Sequence, residues 1–158
     1  MPDYGVPDDL DGVLDWNWAS TRLERSRNYW VATASAEGRP HAMPVWGVWL
    51  PETERFVFSC APRARKARNL RANPRIVVTA DDSVEVVVVE GTAEEIRPVD
   101  IADVIRRYAE KYESEPEKQD ELVEFLAGTC AFRVTPERAF GIIERAEEFG
   151  PRATRWVW

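Results

Sequence analysis

The sequence segment best suited to chemistry is a short run of positively charged residues after an apolar strand-like segment. The cations of this run are Arg63, Arg65, Lys66 and Arg68. Pro62 is typical of the first turn of a helix, and Ala61 before it offers no capping oxygen. Free amides at the positive end of a helix, with cations beside them, predict a site for a phosphate group. The alternative interpretation is a solvated basic face.

The overall composition makes this cluster stand out. The chain has 158 residues, a net charge of −7 and a pI near 4.9, which argues against general nucleic-acid binding. Its length and its 44% apolar content predict one globular domain. The acidic N-terminus lacks the apolar core of a secretion signal, and no apolar run reaches the length of a membrane span. We therefore expect a cytoplasmic protein that binds neither membranes nor nucleic acids.

The sequence offers no acid–base pair, no Ser/His/Asp set and no metal-ligand pattern, so it identifies no catalytic residue and no metal site. Cys60 and Cys130 are the two cysteines, which is too few for a disulfide framework. Seven Trp residues suit a ligand with a flat ring or an interface between subunits. Trp46 and Trp49 lie three apart, so on one strand they face opposite sides. Which of the two meets a ligand stays open.

The predicted elements around the cations indicate a small β-barrel with inserted helices. A helix is predicted over 8–27 and strands over 28–34, 41–50 and 55–59, with a hairpin turn at Gly38. Pro44 should lie at a sheet edge because it lacks a ladder donor. Gly47 lets another group approach the backbone closely. The barrel is predicted over 28–145, with a C-terminal tail over 146–158.

The second half of the chain continues this pattern. We predict strands at 75–80 and 84–96, with Gly91 marking a bulge, and a helix that Asp100 caps and that runs to residue 112. Residues 114–119 are predicted to form a loop and 120–127 a second helix. Two strands, 129–134 and 139–143, are predicted around a turn at 135–138. The aromatic tail is expected to dock on the barrel.

Taken together, an ordered set of short motifs resembles the pyridoxamine-5′-phosphate-oxidase-like split β-barrel superfamily, in its flavin and deazaflavin oxidoreductase branch. The motifs span residues 32–93 and read Ala32-Thr33, Glu37-Gly38-Arg39-Pro40, Pro44-Val45-Trp46, Arg65-Lys66-Ala67-Arg68-Asn69-Leu70, Asn73-Pro74-Arg75 and Val89-Glu90-Gly91-Thr92-Ala93. The resemblance implies a mainly β fold of the split β-barrel type, with residues 1–158 as a single domain. It also implies a homodimer with two cofactor sites at the subunit interface.

The resemblance also implies which residues bind the cofactor. The segment 59–69 would hold its phosphate, and the strand 43–47 would run beside its ring. The predicted cofactor-binding residues are Met43, Pro44, Val45, Trp46, Gly47, Ser59, Cys60, Arg63, Arg65, Lys66, Arg68 and Asn69. Members that oxidise pyridoxamine phosphate carry at the position of Met43 an Arg that helps to bind FMN. This departure therefore points away from vitamin B6 oxidation and towards the deazaflavin-dependent branch.

We therefore expect an F420-dependent reductase that transfers a hydride to a small-molecule acceptor. One alternative is an FMN-dependent oxidase or reductase of the same fold. Another is a non-catalytic split barrel that carries a flavin or a tetrapyrrole. A hydride-transfer enzyme needs its ring and substrate positioned, and it can work without the acid–base pair that this sequence lacks.

Overall fold

The computed structural model describes residues 12–158. Strands and helices alternate along this part of the chain. The strands are β1 (Tyr29–Ala34), β2 (Pro40–Val45), β3 (Gly47–Leu50), β4 (Arg55–Cys60), β5 (Arg75–Ala80), β6 (Glu85–Ile96), β7 (Cys130–Ile143) and β8 (Thr154–Val157). The α-helices are α1 (Trp16–Arg25), α2 (Arg65–Ala72), α3 (Ala102–Tyr112), α4 (Pro116–Ala127) and α5 (Ala146–Phe149), and a 3₁₀ turn covers Pro98–Ile101.

All eight strands belong to one antiparallel sheet that curls into a half-barrel. Its order is β2-β1-β5-β6-β7-β4-β3, and β8 adds to β7. The terminal strands β2 and β3 are consecutive in the chain, and only Trp46 separates them. A single residue spans only a few ångströms, so the two ends of the sheet must lie close together. We call this junction of β2, Trp46 and β3 the seam. The prediction of a mainly β split barrel is confirmed.

The seam corrects the prediction of one continuous strand over 41–50. β2 pairs with β1, whereas β3 pairs with β4, so the two halves of that segment belong to opposite edges of the sheet. Pro44 lies in the terminal strand β2, as its missing N–H predicts. Trp49 is 3% exposed and belongs to the core, whereas Trp46 is 46% exposed. The prediction that the two face opposite sides of one strand does not apply, because Trp46 lies between β2 and β3.

The core lies on the concave face of the sheet. Aromatic side chains of β1, β4 and β7 form its centre, among them Tyr29, Phe56, Phe58 and Phe132, which are fully buried. Helices α1 and α2 pack Leu23 and Leu70 against them. A second cluster packs α3 and α4 on the other side of β3 and β4 and consists of Val48, Leu50, Val57, Ile105, Tyr108, Tyr112 and Leu126.

The long strands β6 and β7 hold the middle of the sheet together. β7 is continuous, so the prediction of two strands around a turn at 135–138 is wrong. The residues of the predicted turn form a bulge in β7, because Glu90 pairs with Arg138 while Gly91 pairs with Pro136. The predicted bulge at Gly91 is confirmed. A Cβ there would lie 2.1 Å from the Thr135 carbonyl oxygen, so only glycine allows the strands this close.

Several helix boundaries also differ from the predictions. α1 begins at Trp16, where the Asp15 side chain accepts a hydrogen bond from the Asn17 amide, and predicted residues 8–11 lie outside the described residues. Asp100 does not cap α3; it lies in the 3₁₀ turn and pairs with Arg97. Only residues 114–115 of the predicted loop at 114–119 lie outside a helix, because α4 already begins at Pro116, which suits a first helical turn.

The C-terminal tail docks on its own chain, which confirms the expectation of docking and adds a strand that was not predicted. β8 pairs with β7, and the Trp156 ring packs 5.3 Å from that of Trp16. A Cβ on Gly141 would lie 2.6 Å from the Trp156 ring. Packing between the side chains of Trp16 and Trp156 thus attaches α1 to the tail. None of the helices within residues 12–158 has the length and apolar character to cross a membrane.

Candidate functional site

The cationic helix α2 begins at Arg65, three residues later than predicted. Residues 61–64 form a turn in which the Ala64 amide donates to the Ala61 carbonyl at 2.9 Å. Pro62 therefore lies in the turn and not in the helix. Ala64 is the N-cap residue, and it makes no side-chain hydrogen bond to the first helical amides. The sequence predicted backbone amides without a capping side chain at the start of this helix, and the positive end of α2 does lack a side-chain cap.

Two arginines of α2 hold the turn in place. Arg68 donates to the Arg63 carbonyl at 3.0 Å, and Arg71 donates to the Pro62 carbonyl at 2.7 Å. Arg71 also pairs with Glu95. Both guanidinium groups thus bind turn carbonyls on the flank of the helix, and Arg68 has a structural partner in addition to its predicted contact with the cofactor.

The remaining cations face outwards. Arg63 and Arg65 are exposed and Lys66 is half-buried. Within residues 12–158, none of these three forms a salt bridge to a carboxylate. In a chain with a net charge of −7, cations without acidic partners beside uncapped amides form a focused positive potential that suits an anion.

His41 lies beside these cations, although the sequence interpretation left it out of the site. Partial burial lowers its pKa below the ordinary histidine value, and the positive charges of Arg65 and Lys66 lower it further. The start of β2 lies near α2, because Thr33 pairs with His41 across the β1–β2 ladder and its hydroxyl accepts a hydrogen bond from Asn69 of α2. The imidazole is a further group that could donate to a bound anion when it is protonated.

Three of the predicted residues in segment 59–69 have other partners. Asn69 is 5% exposed and its amide nitrogen donates to the Thr33 hydroxyl at 2.9 Å, which fastens α2 to β1. The Ser59 side chain interacts with the buried Tyr108 hydroxyl on the α3 side of the sheet. Cys60 lies against Cys130 of β7. The structure therefore does not bring Ser59 and Asn69 together with the exposed cations.

The strand β2 leads from the cations towards the seam along a free edge of the sheet. β2 pairs with β1 on one side and ends the strand order on the other. Met43 and Pro44 are exposed, while Val45 is buried. At about 3.4 Å per residue, Trp46 lies roughly 17 Å along the chain from His41. An anion site and an exposed aromatic ring therefore lie at two ends of one strand.

At the seam, Trp46 and Gly47 are held by the end of α3. The rings of Trp46 and Tyr112 stack with centroids 4.6 Å apart and planes 11° apart. The Gly47 amide donates to the Tyr112 hydroxyl at 2.8 Å, and the Lys111 ammonium donates to the Gly47 carbonyl at 3.0 Å. The close approach predicted at Gly47 is made by the Phe56 ring, since a Cβ on Gly47 would lie 2.4 Å from it.

Lys111 and Tyr112 were not predicted as site residues. Burial lowers the pKa of Lys111 to about 8, and its ammonium also donates to the Tyr29 hydroxyl at 2.7 Å. Burial raises the pKa of Tyr112 to about 12. Tyr112 lies four residues after Tyr108, a spacing that indicates one helix face but not that this face meets the seam.

The convex face of the sheet carries a separate apolar surface. A row of facing residues crosses five strands there and consists of Pro44, Trp30, Thr79, Val88 and Phe140. Trp30 is 50% exposed. A cavity of about 350 Å³ lies on this face and is lined by Ala32, Thr33, Ala34, Pro40, Asn73, Arg75, Ile76, Val77, Glu90, Gly91, Glu137 and Arg138. None of the predicted cofactor-binding residues, all of which are described, lines this cavity.

Comparison with known proteins places the chain among relatives of known fold. The sequence model of the family described as pyridoxamine 5′-phosphate oxidase matches residues 19–142, which is most of the chain. A search of curated proteins finds no match.

Several solved structures are similar. The conserved hypothetical protein Rv2991 from Mycobacterium tuberculosis has a TM-score of 0.72 at 21% identity, and the match covers 89% of this chain and 91% of that one. The heme storage protein HutZ from Vibrio cholerae has a TM-score of 0.64 at 23% identity, with 79% and 94% covered. A protein described as an F420 reductase has a TM-score of 0.57 at 22% identity, with 76% and 94% covered. At these identities the likeness establishes the fold.

Proposed function

The chain belongs to the pyridoxamine 5′-phosphate oxidase family, and from this premise we propose that it is an F420-dependent reductase. The proposal rests on two features at the two ends of β2. One is the cationic start of α2, which lacks a side-chain cap, and the other is the exposed Trp46 ring at the seam. A deazaflavin cofactor has the same layout, with phosphate at one end and a flat ring at the other. The solved structure described as an F420 reductase, which shares the fold, supports this choice.

The phosphate end of the cofactor would bind at the start of α2. The donors available there are the uncapped helix amides and the side chains of Arg63, Arg65 and Lys66, with His41 beside them. Because Arg68 and Arg71 hold the turn through its carbonyls, the amide groups are preorganised before an anion arrives. The donor set fits a phosphate group, since it offers hydrogen bonds and positive charge without an acidic competitor.

The ring end of the cofactor would lie along Met43, Pro44 and Val45 and reach the seam at Trp46 and Gly47. Pro44 has no N–H, and β2 has a free backbone edge, so a flat ring can approach this strand closely. Stacking on Tyr112 fixes the Trp46 ring, which offers a rigid aromatic wall. The Gly47 amide is already bound to Tyr112, so we assign Gly47 to shaping the seam.

When bound, F420 supplies a hydride for a polarised double bond of the acceptor. The task of the chain is then to orient the ring and the acceptor and to exclude water between them. The exposed apolar side chains of Met43 and Trp46 suit that task. The resemblance puts an Arg at the position of Met43 in members that oxidise pyridoxamine phosphate, so the apolar residue here favours F420 over FMN.

The site would be completed by a second copy of the chain. The convex row through Trp30, Val88 and Phe140 is apolar, and the cavity beside it is open to solvent in one copy. A face of this kind suits an interface between subunits. Pro44 belongs to both the convex row and the predicted ring site, so a homodimer through this face would bring the partner next to the cofactor ring.

Turnover tests this proposal. The purified protein should oxidise reduced F420 in the presence of at least one member of a panel of enones and quinones, and FMN should not replace F420. A yellow protein that releases FMN and turns over with it would replace the proposal by the FMN alternative. Binding of F420, FMN or a bilin without any turnover would favour the non-catalytic alternative, to which the structural likeness to the heme storage protein HutZ also points.

A further inference from the structure

Two cysteines face each other at the base of the cationic turn. Cys60 is the last residue of β4 and Cys130 the first residue of β7, and the two are directly opposite in the antiparallel register. Both thiols are free. Their sulfur atoms are 3.8 Å apart, and the Cys130 thiol donates to the Cys60 carbonyl at 3.2 Å. The two thiols are therefore preorganised towards each other.

The strand geometry allows a direct bond between these sulfur atoms. Opposed residues of antiparallel strands have Cα atoms about 4.5–5.5 Å apart, which lies within the range of about 4.4–6.8 Å found in disulfides. The sulfur atoms need to approach by about 1.8 Å to reach a bond length of about 2.05 Å. Side-chain rotation at the strand ends provides this movement without a change in register.

We propose that Cys60 and Cys130 form a reversible intramolecular disulfide when the protein meets a hydroperoxide. The Cys60 sulfur attacks one peroxide oxygen, the O–O bond breaks, and a sulfenic acid forms with release of water, or of an alcohol from an organic peroxide. The Cys130 sulfur then displaces the sulfenic hydroxyl, the S–S bond forms, and water leaves. The two thiols lose two protons and two electrons, and the peroxide accepts them. A thiol reductant reverses the reaction.

The environment assigns a different role to each cysteine. Cys60 is half-exposed and meets the oxidant, whereas Cys130 is buried and resolves the sulfenic acid. Burial, and to a smaller extent the neighbouring Cys130, raise the pKa of Cys60 to about 12, although the positive charges of Lys66 and Arg71 oppose the shift. Because the thiolate is the reacting form, we expect slow oxidation at neutral pH that accelerates as the pH rises.

The bond would also stabilise the fold and fix the base of the turn. It joins residues 60 and 130, and a covalent link across a loop of this length restricts the unfolded chain strongly. From this restriction we expect the melting temperature to rise by roughly 10 °C in a chain of this size. Cys60 directly precedes the 61–64 turn, so the strand end that carries the cationic turn becomes fastened to β7.

Thiol titration and intact mass after treatment with hydrogen peroxide test this inference without any cofactor. The wild type should lose both thiols and the mass of two hydrogen atoms, stay monomeric on a denaturing non-reducing gel, and recover both thiols with a reductant. Cys60→Ser and Cys130→Ser serve as controls in which the intramolecular bond is impossible. Two persistent thiols, only intermolecular disulfides, or added oxygen atoms in the wild type would overturn the proposal.

Discussion

Replacing Gly47 by alanine tests whether the seam has the packing that we describe. A Cβ at this position would lie 2.4 Å from the Phe56 ring and 2.9 Å from the Val57 carbonyl oxygen. Phe56 is fully buried, and the second contact is backbone, so neither neighbour can move freely. We expect a loss of about 3 kcal/mol in the free energy of unfolding, the upper part of the range for overpacked cores. The entropic gain of a Gly-to-Ala change, about 0.4–1 kcal/mol, offsets only part of this.

Urea and thermal unfolding measure the effect. The melting temperature of Gly47→Ala should fall by roughly 6–12 °C and the urea midpoint by about 1–1.5 M. Gly128→Ala is the matched control, because a Cβ there makes an ordinary contact of 3.5 Å with the Phe125 carbonyl oxygen and the backbone is in the right-handed helical region. If Gly47→Ala is as stable as Gly128→Ala, the close packing of the seam is refuted.

Three further predictions concern the anion site and the convex face. The double variant Arg65→Gln/Lys66→Gln should bind F420 about tenfold or more weakly, since a hydrogen bond from a charged group contributes about 1.5 kcal/mol or more. Calorimetry that gives the double variant the affinity of the wild type would refute this prediction. The pKa of His41 lies below the ordinary histidine value in the free protein and should rise when sulfate binds. Sulfate affinity should therefore increase as the pH falls through the pKa of the bound state and level off below the pKa of the free state. An NMR titration of the single histidine measures the pKa in each state, and a pKa that sulfate leaves unchanged would remove His41 from the site. Trp30→Glu should convert the proposed dimer to a folded monomer in analytical ultracentrifugation, and a wild type that is already monomeric would contradict the interface.

Local chemistry made several features of the fold predictable. Pro44 had to lie at an edge because it lacks a backbone donor, and Gly91 marked the bulge because a side chain there would meet the neighbouring strand. The uncapped start of α2 followed from the lack of a capping side chain before the cations, although the helix begins later than Pro62 suggests. These inferences rest on single residues and their immediate neighbours.

Features that depend on distant pairing could not be predicted in this way. The break at Trp46 arises because β2 and β3 pair with different strands, and nothing within the segment 41–50 signals that. Tyr112 meets the seam only because α3 packs on β3. Residues 135–138 are of the types that form turns, but because β7 pairs with β6 along this segment they form a bulge in the strand.

The same limit applies to the candidate site. The resemblance placed Asn69 and Ser59 with the cations, whereas their side chains contact Thr33 and Tyr108. Conversely, His41 lies near the cations because β2 pairs with β1, to which α2 is bound through Asn69. The site that we propose therefore keeps the cationic turn and the β2 strand as its two ends and adds His41 at the first and Tyr112 at the second.

Calorimetric titration of the purified protein with F420 and, separately, with FMN measures which cofactor the protein prefers. F420 should bind with a micromolar-range dissociation constant. FMN should bind about tenfold or more weakly, because the apolar Met43 replaces a charged contact to FMN. Absence of F420 binding at high protein concentration, or tighter binding of FMN than of F420, would contradict the proposed function.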